Sequence, residues 1–223
     1  MFDILFAYIF SIYGNEYGCK MIKKIDILGI QLDNYTVREA IMRVEAWYDN
    51  NMLNVIEMVS MQMLTESESD PVLKEVISSL DLAVIGEKGI LQAAGVDTMQ
   101  RIRETEENDF SDEFLKRVER NRKSVFIIGE TQGAVDEFTQ ELREEYPKLV
   151  LAGAAATENC VGDLEGVINE MNAATPDVII SIIPSPGQEH FLVEHRDKIN
   201  ANLWYGIGGF CLLYTSPSPR DTR

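Results

Sequence analysis

Short apolar runs alternate with longer amphipathic stretches along most of the chain. A run of roughly four to eight apolar residues bounded by turn residues is typical of a strand buried on both faces of a parallel sheet. The predicted strands are residues 25–30, 53–59, 81–85, 124–129, 149–153, 178–183 and 203–207. The alternation is more regular in the second half of the chain, from residue 124 onwards.

Apolar residues at helical spacing predict helices between these strands. Thr36 is a suitable N-cap with Glu39 as its capping-box partner, and Asp70 followed by Pro71 marks another helix start. One predicted helix begins after Thr36, and the others cover residues 70–80, 90–94, 114–121, 131–146, 165–172 and 189–200. Strands that alternate with helices need crossover connections, so the pattern predicts an α/β fold: a parallel or mixed sheet with helices on both faces.

The sequence patterns of two stretches lead to further structural predictions. In the helix 131–146, Ala134, Phe138 and Leu142 form an apolar stripe that should face the core. Residues 97–112 are polar, and a solvated helix is the favoured interpretation. A disordered excursion and a flexible loop beside a site are the alternatives.

Both ends of the chain differ from its interior. Residues 1–13 are mostly apolar, but they are too few to span a bilayer and lack the basic start of a signal peptide. We interpret residues 1–20 as a misassigned start before Met21, with a cleaved or interfacial apolar leader as the alternative. Residues 211–221 resemble a translated sequencing adapter. We therefore interpret residues 211–223 as an artefact and residues 21–210 as the α/β domain.

The chain is strongly acidic, with 37 Asp and Glu residues against 20 Lys and Arg and a net charge of -17. Such a surface repels phosphate backbones and anionic lipid, which argues against nucleic-acid binding and general membrane adhesion. Cys19, Cys160 and Cys211 show neither metal nor disulfide spacing, which favours a reducing, cytoplasmic setting. His190 and His195 lie five positions apart and do not share a helix face, so no metal site is expected.

The loop after strand 178–183 is the most distinctive candidate for function. Its two prolines fix the backbone and Gly187 frees it, so Gln188 and Glu189 reach a defined position past the carboxyl end of the strand. Ligands of open α/β sheets bind at that edge. An ordinary strand-to-helix loop with solvated polar residues is the alternative interpretation.

Polar residues and glycines also follow three other predicted strands. If the strands run parallel, their ends converge on one edge, where glycine allows close backbone approach. A pocket for a nucleotide-linked ligand is then expected there. The candidate binding residues are Ser60, Gln62, Ser185, Gln188, Glu189, Gly208 and Gly209, with Gly86 and Glu87 at the neighbouring strand end.

Several segments, taken in order, resemble the WecG/TagA/CpsF glycosyltransferase family. The resemblance rests on I-D-I-L-G-I, M-L with D-P-V-L-K-E, S-V-F-I-I-G with R-E-E-Y-P, P-S-P-G-Q-E and G-I-G-G-F, and covers residues 22–210. It implies a Rossmann-like α/β fold without a cofactor. It also implies transfer of N-acetylmannosamine or a related sugar from a UDP-sugar to a polyprenyl-diphosphate-linked acceptor in teichoic acid, enterobacterial common antigen or capsule synthesis.

Residues that the resemblance links to chemistry are changed in this chain. Residues 58–60 read M-V-S where the family has T-L-N, and Gly86 stands where the family has its proposed catalytic aspartate. The family's arginine falls on or near Glu104, with Arg103 adjacent. Glu87, one position after Gly86, is therefore the candidate catalytic base, because an acceptor hydroxyl needs a base within hydrogen-bond reach.

The sequence thus predicts a glycosyltransferase with a UDP-sugar donor and a lipid-linked acceptor. The alternative is a catalytically degenerate paralogue that keeps nucleotide or partner binding. The expected location is cytoplasmic, with peripheral contact at the inner face of the membrane only through the basic carboxyl-terminal segment that the family carries after Phe210. Association into a homo-oligomer is left open.

Overall fold

The computed structural model describes residues 23–50, 52–159 and 164–208. The three cysteines, Gly209, Phe210 and both terminal segments lie outside the described residues. Within these ranges the chain forms a six-stranded parallel sheet and a separate two-stranded antiparallel sheet. Helices cover both faces of the larger sheet, which confirms the predicted α/β, Rossmann-like fold.

The strands follow the predicted apolar runs closely. They are β1 (Lys24–Ile27), β2 (Ile30–Asp33), β3 (Asn54–Val59), β4 (Leu82–Ile85), β5 (Ser124–Gly129), β6 (Val150–Ala156), β7 (Val178–Ser181) and β8 (Leu203–Gly206). Strands β3, β7 and β8 are buried along their whole length, as expected of strands covered on both faces.

The helices connect successive strands. They are α1 (Val37–Glu45), α2 (Met61–Glu66), α3 (Pro71–Ser79), α4 (Lys88–Ala93), α5 (Met99–Glu106), α6 (Asp109–Arg120), α7 (Gln132–Glu145), α8 (Glu165–Ala173) and α9 (Gly187–His195). The predicted caps are confirmed: Thr36 and Glu39 form a capping box on α1, and Asp70 accepts from the amides of Val72 and Leu73 at the start of α3.

The strand order places the predicted site residues side by side. The order is β4-β3-β8-β7-β5-β6, and every neighbouring pair is parallel. The carboxyl ends of β4, β3, β8 and β7 therefore lie next to one another at one edge of the sheet. Buried residues of α1, α6 and α7 pack on one face, and those of α2, α3, α4, α8 and α9 pack on the other with the β1–β2 hairpin.

The first predicted strand is wrong in its extent. Residues 25–30 are divided by a tight turn at Leu28 and Gly29, both with positive φ, and the chain returns as β2. A two-residue turn with positive φ at both positions matches the twist of a hairpin. Leucine is not typical of such a turn, so the apolar alternation hid it.

Two expectations about helices need correction. In α7 the buried stripe is Val135, Phe138 and Leu142, whereas Ala134 is exposed. The polar stretch 97–112 is helical, but it is not solvated throughout, because Arg101 and Glu104 are buried. A mutual ion pair between these two side chains makes their burial tolerable.

Candidate functional site

A cleft of about 270 Å³ opens at the carboxyl edge of the sheet, where β4, β3, β8 and β7 end. It contains five of the candidate residues. Its lining is Met58, Ser60, Gln62, Met63, Glu66, Glu87, Pro184, Ser185, Ile207 and Gly208. The parallel strand order is what brings these residues together, because they come from four separate segments of the chain.

One wall of the cleft is the start of α2. Ser60 caps this helix, and its hydroxyl oxygen accepts from the Met63 amide at 3.0 Å. Gln62 donates through Nε2 to Glu66 Oε1 at 2.8 Å, one helical turn further on. The Ser60 hydroxyl proton and the Gln62 carbonyl oxygen remain able to bind sugar or base hydroxyl and amide groups.

Glu87 also lines the cleft. It follows β4 in an extended conformation and precedes α4, but its side chain does not cap that helix. The preceding Gly86 donates its amide to the Val59 carbonyl at 3.0 Å, which ties the end of β4 to the end of β3. Glu87 is partly buried and lines the cleft.

The floor of the cleft is built from the loop after β7 and the residue after β8. The amide nitrogen of Ser185 lies 3.8 Å from the position that a Cβ on Gly208 would take, and the Gln188 Nε2 lies 3.7 Å from it. Gly208 adopts φ +53°, a conformation that favours glycine. The backbone of the loop after β7 and the side chain of Gln188 therefore pack against Gly208.

Gln188 and Glu189 do not line the cleft. Both are wholly buried at the start of α9, where Gln188 Nε2 donates to Glu189 Oε1 at 3.1 Å. The loop delivers them to a defined position as expected, but that position is beneath the cleft floor. The structure thus makes them supports of the floor, and Gly209 lies outside the described residues.

A second buried carboxyl group, that of Glu57 on β3, lies near this pair. Glu57 is wholly buried, and its neighbours in the sheet register are Ala83 on β4 and Gly206 on β8. Burial raises the pKa of Glu57 well above its usual range, and the Glu189 carboxylate raises it further. Burial also raises the pKa of Glu189, against opposing hydrogen bonds from the Gln188 side chain and the backbone.

Gly206 provides the space for these side chains. A Cβ at this position would lie 2.8 Å from Gln188 Oε1 and 2.9 Å from Glu57 Cγ. We expect Gly206→Ala to lower the free energy of unfolding by about 1–3 kcal/mol, because neither buried side chain has room to move. Urea unfolding of the variant would measure this loss.

Gly166→Ala is the matched control for that prediction. Gly166 lies in α8, and a Cβ there would meet nothing within 4 Å. Alanine in a helix interior is favoured over glycine by about 1 kcal/mol, so this variant should be as stable as the wild type or more stable. Equal stability of Gly206→Ala and wild type would show that Glu57 and Gln188 are not confined as described.

A smaller cavity of about 30 Å³ shares Met58 with the cleft and is lined by Arg101 and Glu104. Arg101 Nη1 donates to Glu104 Oε2 at 2.8 Å, and Gln100 Nε2 donates to Glu104 Oε1 at the same distance. Arg103, the arginine next to Glu104 in sequence, is exposed on the outer side of α5. Arg101 is thus the cation that lies nearest to Glu104, and Glu104 neutralises it.

The cleft is acidic. Its carboxylates are Glu66 and Glu87, and no lysine or arginine is among the lining residues of the described segments. In the same segments, no group of three or more His, Cys, Asp and Glu side chains is placed to hold a metal ion. His190 Nε2 lies 3.0 Å from Asp70 Oδ2 and links α9 to α3. No helix of the described ranges is both long and apolar enough to cross a membrane.

Sequence reasoning missed four residues of this region: Glu57, Glu66, Arg101 and Gly206. The first left a signal, since a single glutamate interrupts the otherwise apolar run of β3. An ionisable residue in a strand predicted to be buried on both faces needs a partner or a proton. Gly206 and Glu66 gave no comparable signal, because their importance depends on which strands and helices lie beside them.

The fold defines an α/β, Rossmann-like scaffold with a cleft at the carboxyl edge of its sheet, and comparison with known proteins assigns its family. Residues 25–220 match the glycosyl transferase WecG/TagA/CpsF family, and the chain belongs to that family.

Relatives within the family include proteins of three Staphylococcus aureus strains, NCTC 8325 / PS 47, COL and MRSA252. Each is named N-acetylglucosaminyldiphosphoundecaprenol N-acetyl-beta-D-mannosaminyltransferase. Each is 22% identical to this chain over 202 residues, which cover 88% of the chain and 78% of the relative. The relatives are thus bacterial glycosyltransferases whose names state a lipid-diphosphate acceptor.

Proposed function

We propose that the chain transfers an N-acetylmannosamine-type sugar from a UDP-sugar to a polyprenyl-diphosphate-linked acceptor. The observation that carries the proposal is the cleft at the carboxyl edge of the sheet, in which a carboxylate faces hydroxyl and amide groups from neighbouring strand ends. The family and the names of the S. aureus relatives supply the donor sugar and the acceptor class.

In this proposal Glu87 is the catalytic base. The acceptor hydroxyl attacks the anomeric carbon of the donor sugar while Glu87 removes its proton. The bond between that carbon and the diphosphate oxygen breaks, and UDP leaves with the bonding electron pair. Ser60, Gln62 and the backbone at Ser185 and Gly208 would hold the substrate groups in place for this displacement.

The acidity of the cleft bears directly on how a diphosphate could be held. Coulomb repulsion from Glu66 and Glu87 opposes binding of an anion. The amino-terminal end of α9 begins two residues after Ser185 and carries partial positive charge, which favours an anion near the cleft floor. We therefore expect the diphosphate of the donor to bind through backbone amides at the floor.

The experiment is a transfer assay with the full chain, UDP-N-acetylmannosamine and a soluble analogue of the N-acetylglucosaminyl-diphospho-lipid acceptor. We expect one acceptor-linked N-acetylmannosamine and one UDP for each turnover. Calorimetric titration of UDP and of the UDP-sugar into the same preparation measures donor binding separately. Absence of both binding and product would overturn the proposal.

A degenerate paralogue that binds without transfer is the second candidate. The buried Arg101–Glu104 ion pair favours it, since Glu104 occupies the position that the resemblance assigns to an arginine and neutralises the adjacent cation. Loss of a positive group near a departing diphosphate removes electrostatic stabilisation of the transition state. UDP binding without any product in the assay would select this candidate over the first.

A further inference from the structure

We propose that Glu57 is a protonated positioning residue. Its carboxyl group donates a hydrogen bond to the Gln188–Glu189 pair and so fixes the floor of the cleft. Nothing in the sequence resemblance assigns a role to this residue. The proposal concerns the support of the cleft, and its main test does not depend on the proposed function.

The first argument is a shortage of hydrogen-bond donors. Both oxygens of Glu57, Gln188 Oε1 and Glu189 Oε2 are buried and lack a hydrogen-bond partner in the described part of the chain, and so does the hydroxyl of Ser185. These four acceptors outnumber the donors that remain, which are the Ser185 hydroxyl and the second N–H of Gln188. One N–H of the Gln188 amide already donates to Glu189 Oε1. A buried acceptor without a donor is strongly unfavourable, and a proton on one carboxyl group supplies the missing donor.

The second argument is charge. Two ionised carboxylates in a buried site without a cation would repel each other and lose their hydration. The sheet neighbours of Glu57 are the uncharged Ala83 and Gly206, and the charged residue that acts on it is Glu189 on α9. At least one of the two carboxyl groups must therefore keep a proton.

The surroundings identify Glu57 as the group that keeps it. Hydrogen bonds from the Gln188 side chain and from the backbone favour the ionised form of Glu189. Glu57 has no such support. The stable arrangement is therefore a carboxylic acid at Glu57 and a carboxylate at Glu189.

The protonated group supports the cleft through Gln188. Glu57 Cγ and the Gln188 amide both lie within 3 Å of one point above Gly206, so the two side chains are neighbours at the end of β8. The amide nitrogen of Gln188 also lies beside Gly208 on the cleft floor. Ionisation of Glu57 would remove the hydrogen bond to this neighbour and loosen the floor from the strand beneath it.

Unfolding of the full chain as a function of pH tests the proposal directly. A glutamate of the unfolded chain has a pKa of about 4.3 and releases its proton above that value, whereas folded Glu57 keeps it. Between this pH and the raised pKa of the folded state, the unfolded state binds fewer protons, so stability falls as pH rises. One such proton changes the unfolding equilibrium constant about tenfold for each pH unit.

We expect Glu57→Gln to lose this slope relative to the wild type, since glutamine is neutral and similar in shape. The free energy of unfolding of the variant should change less between pH 5 and pH 8 than that of the wild type. Glu170→Gln, an exposed change on α8, should keep the wild-type slope. Parallel curves for Glu57→Gln and wild type would overturn the proposal.

A second measurement uses the wild-type chain, so it does not require that the variant folds. In protein labelled with ¹³C at glutamate side-chain carboxyl carbons, NMR should show a carboxyl group that is still protonated at pH 7. Its assignment to Glu57 follows from its absence in Glu57→Gln or, if that variant does not fold, from its proximity to Gly206 resonances. A fully ionised set of glutamates at pH 7 would also overturn the proposal.

The positioning role has its own readout, which rests on the proposed function. UDP affinity of the wild type should fall as rising pH ionises Glu57, whereas Glu57→Gln should not show this fall. Equal pH profiles would overturn the positioning role even if Glu57 is protonated. Failure of UDP to bind at any pH would instead count against the proposed function and leave the unfolding and NMR tests to decide on Glu57.

Discussion

Replacement of Glu87 by glutamine is expected to lower the transfer rate by about 10²- to 10⁴-fold, the usual contribution of a positioned general base. Glutamine keeps the size and hydrogen-bonding capacity of the side chain but cannot accept a proton from the acceptor. Glu87 is partly buried and does not cap α4, so folding should be little affected. The measurement is kcat in the transfer assay, with donor affinity determined separately by titration.

Glu66→Gln is the control for the loss of charge, because it removes a second carboxylate from the same cleft. If Glu87 acts as a base, kcat should fall in Glu87→Gln far more than in Glu66→Gln, while both variants bind the anionic donor at least as tightly as the wild type. An equal fall in both variants would show that cleft charge matters and that Glu87 is not the base. Undiminished turnover of Glu87→Gln would have the same consequence.

The architecture could be predicted because parallel strands buried on both faces appear in sequence as short apolar runs. The runs that became β3, β5, β7 and β8 are of this kind, and their bounds needed little correction. The convergence of their ends followed from the rule that parallel strands place their carboxyl ends at one edge. The hairpin of β1 and β2 was not predicted, because its turn contains leucine.

The sequence could not predict whether a residue near the cleft floor faces the cleft or the core beneath it. Gln188 and Glu189 follow a proline-rich loop, and polar residues in that position can face solvent, a ligand or the core. Their burial depends on the space above Gly206, which in turn depends on β8 lying next to β3. Neither the spacing of residues nor their polarity carries that information, because the two strands are distant in sequence.

The same limit explains why the stretch 97–112 was interpreted as solvated. Its composition is that of an exposed helix, yet Arg101 and Glu104 lie three positions apart and can pair on one face. Asn34 Oδ1, from the segment after β2, accepts from Arg101 Nε at 3.4 Å and closes the pair from the other side. The partner that makes burial feasible comes from a region that the sequence pattern does not connect to α5.

Because the Arg101–Glu104 pair is buried, Arg101→Met is expected to lower the free energy of unfolding by about 3–5 kcal/mol. The two side chains are 7% and 8% exposed, so removal of the arginine leaves an uncompensated carboxylate out of contact with bulk water. Urea unfolding of the full chain measures the loss. Such a loss would show that the pair holds α5 in place beside the cleft.

The double variant Arg101→Met with Glu104→Leu distinguishes an unpaired charge from lost packing. Replacing both members of a buried ion pair with apolar residues is often nearly neutral, so most of the stability should return. Lys198→Met, which removes the exposed ion pair with Glu165, should change stability by about 1 kcal/mol or less. If the double variant is no more stable than Arg101→Met, lost packing of the arginine stem explains the effect. If Arg101→Met instead behaves like Lys198→Met, the charges of Arg101 and Glu104 are hydrated, and Arg101 is then free to assist a diphosphate near Met58.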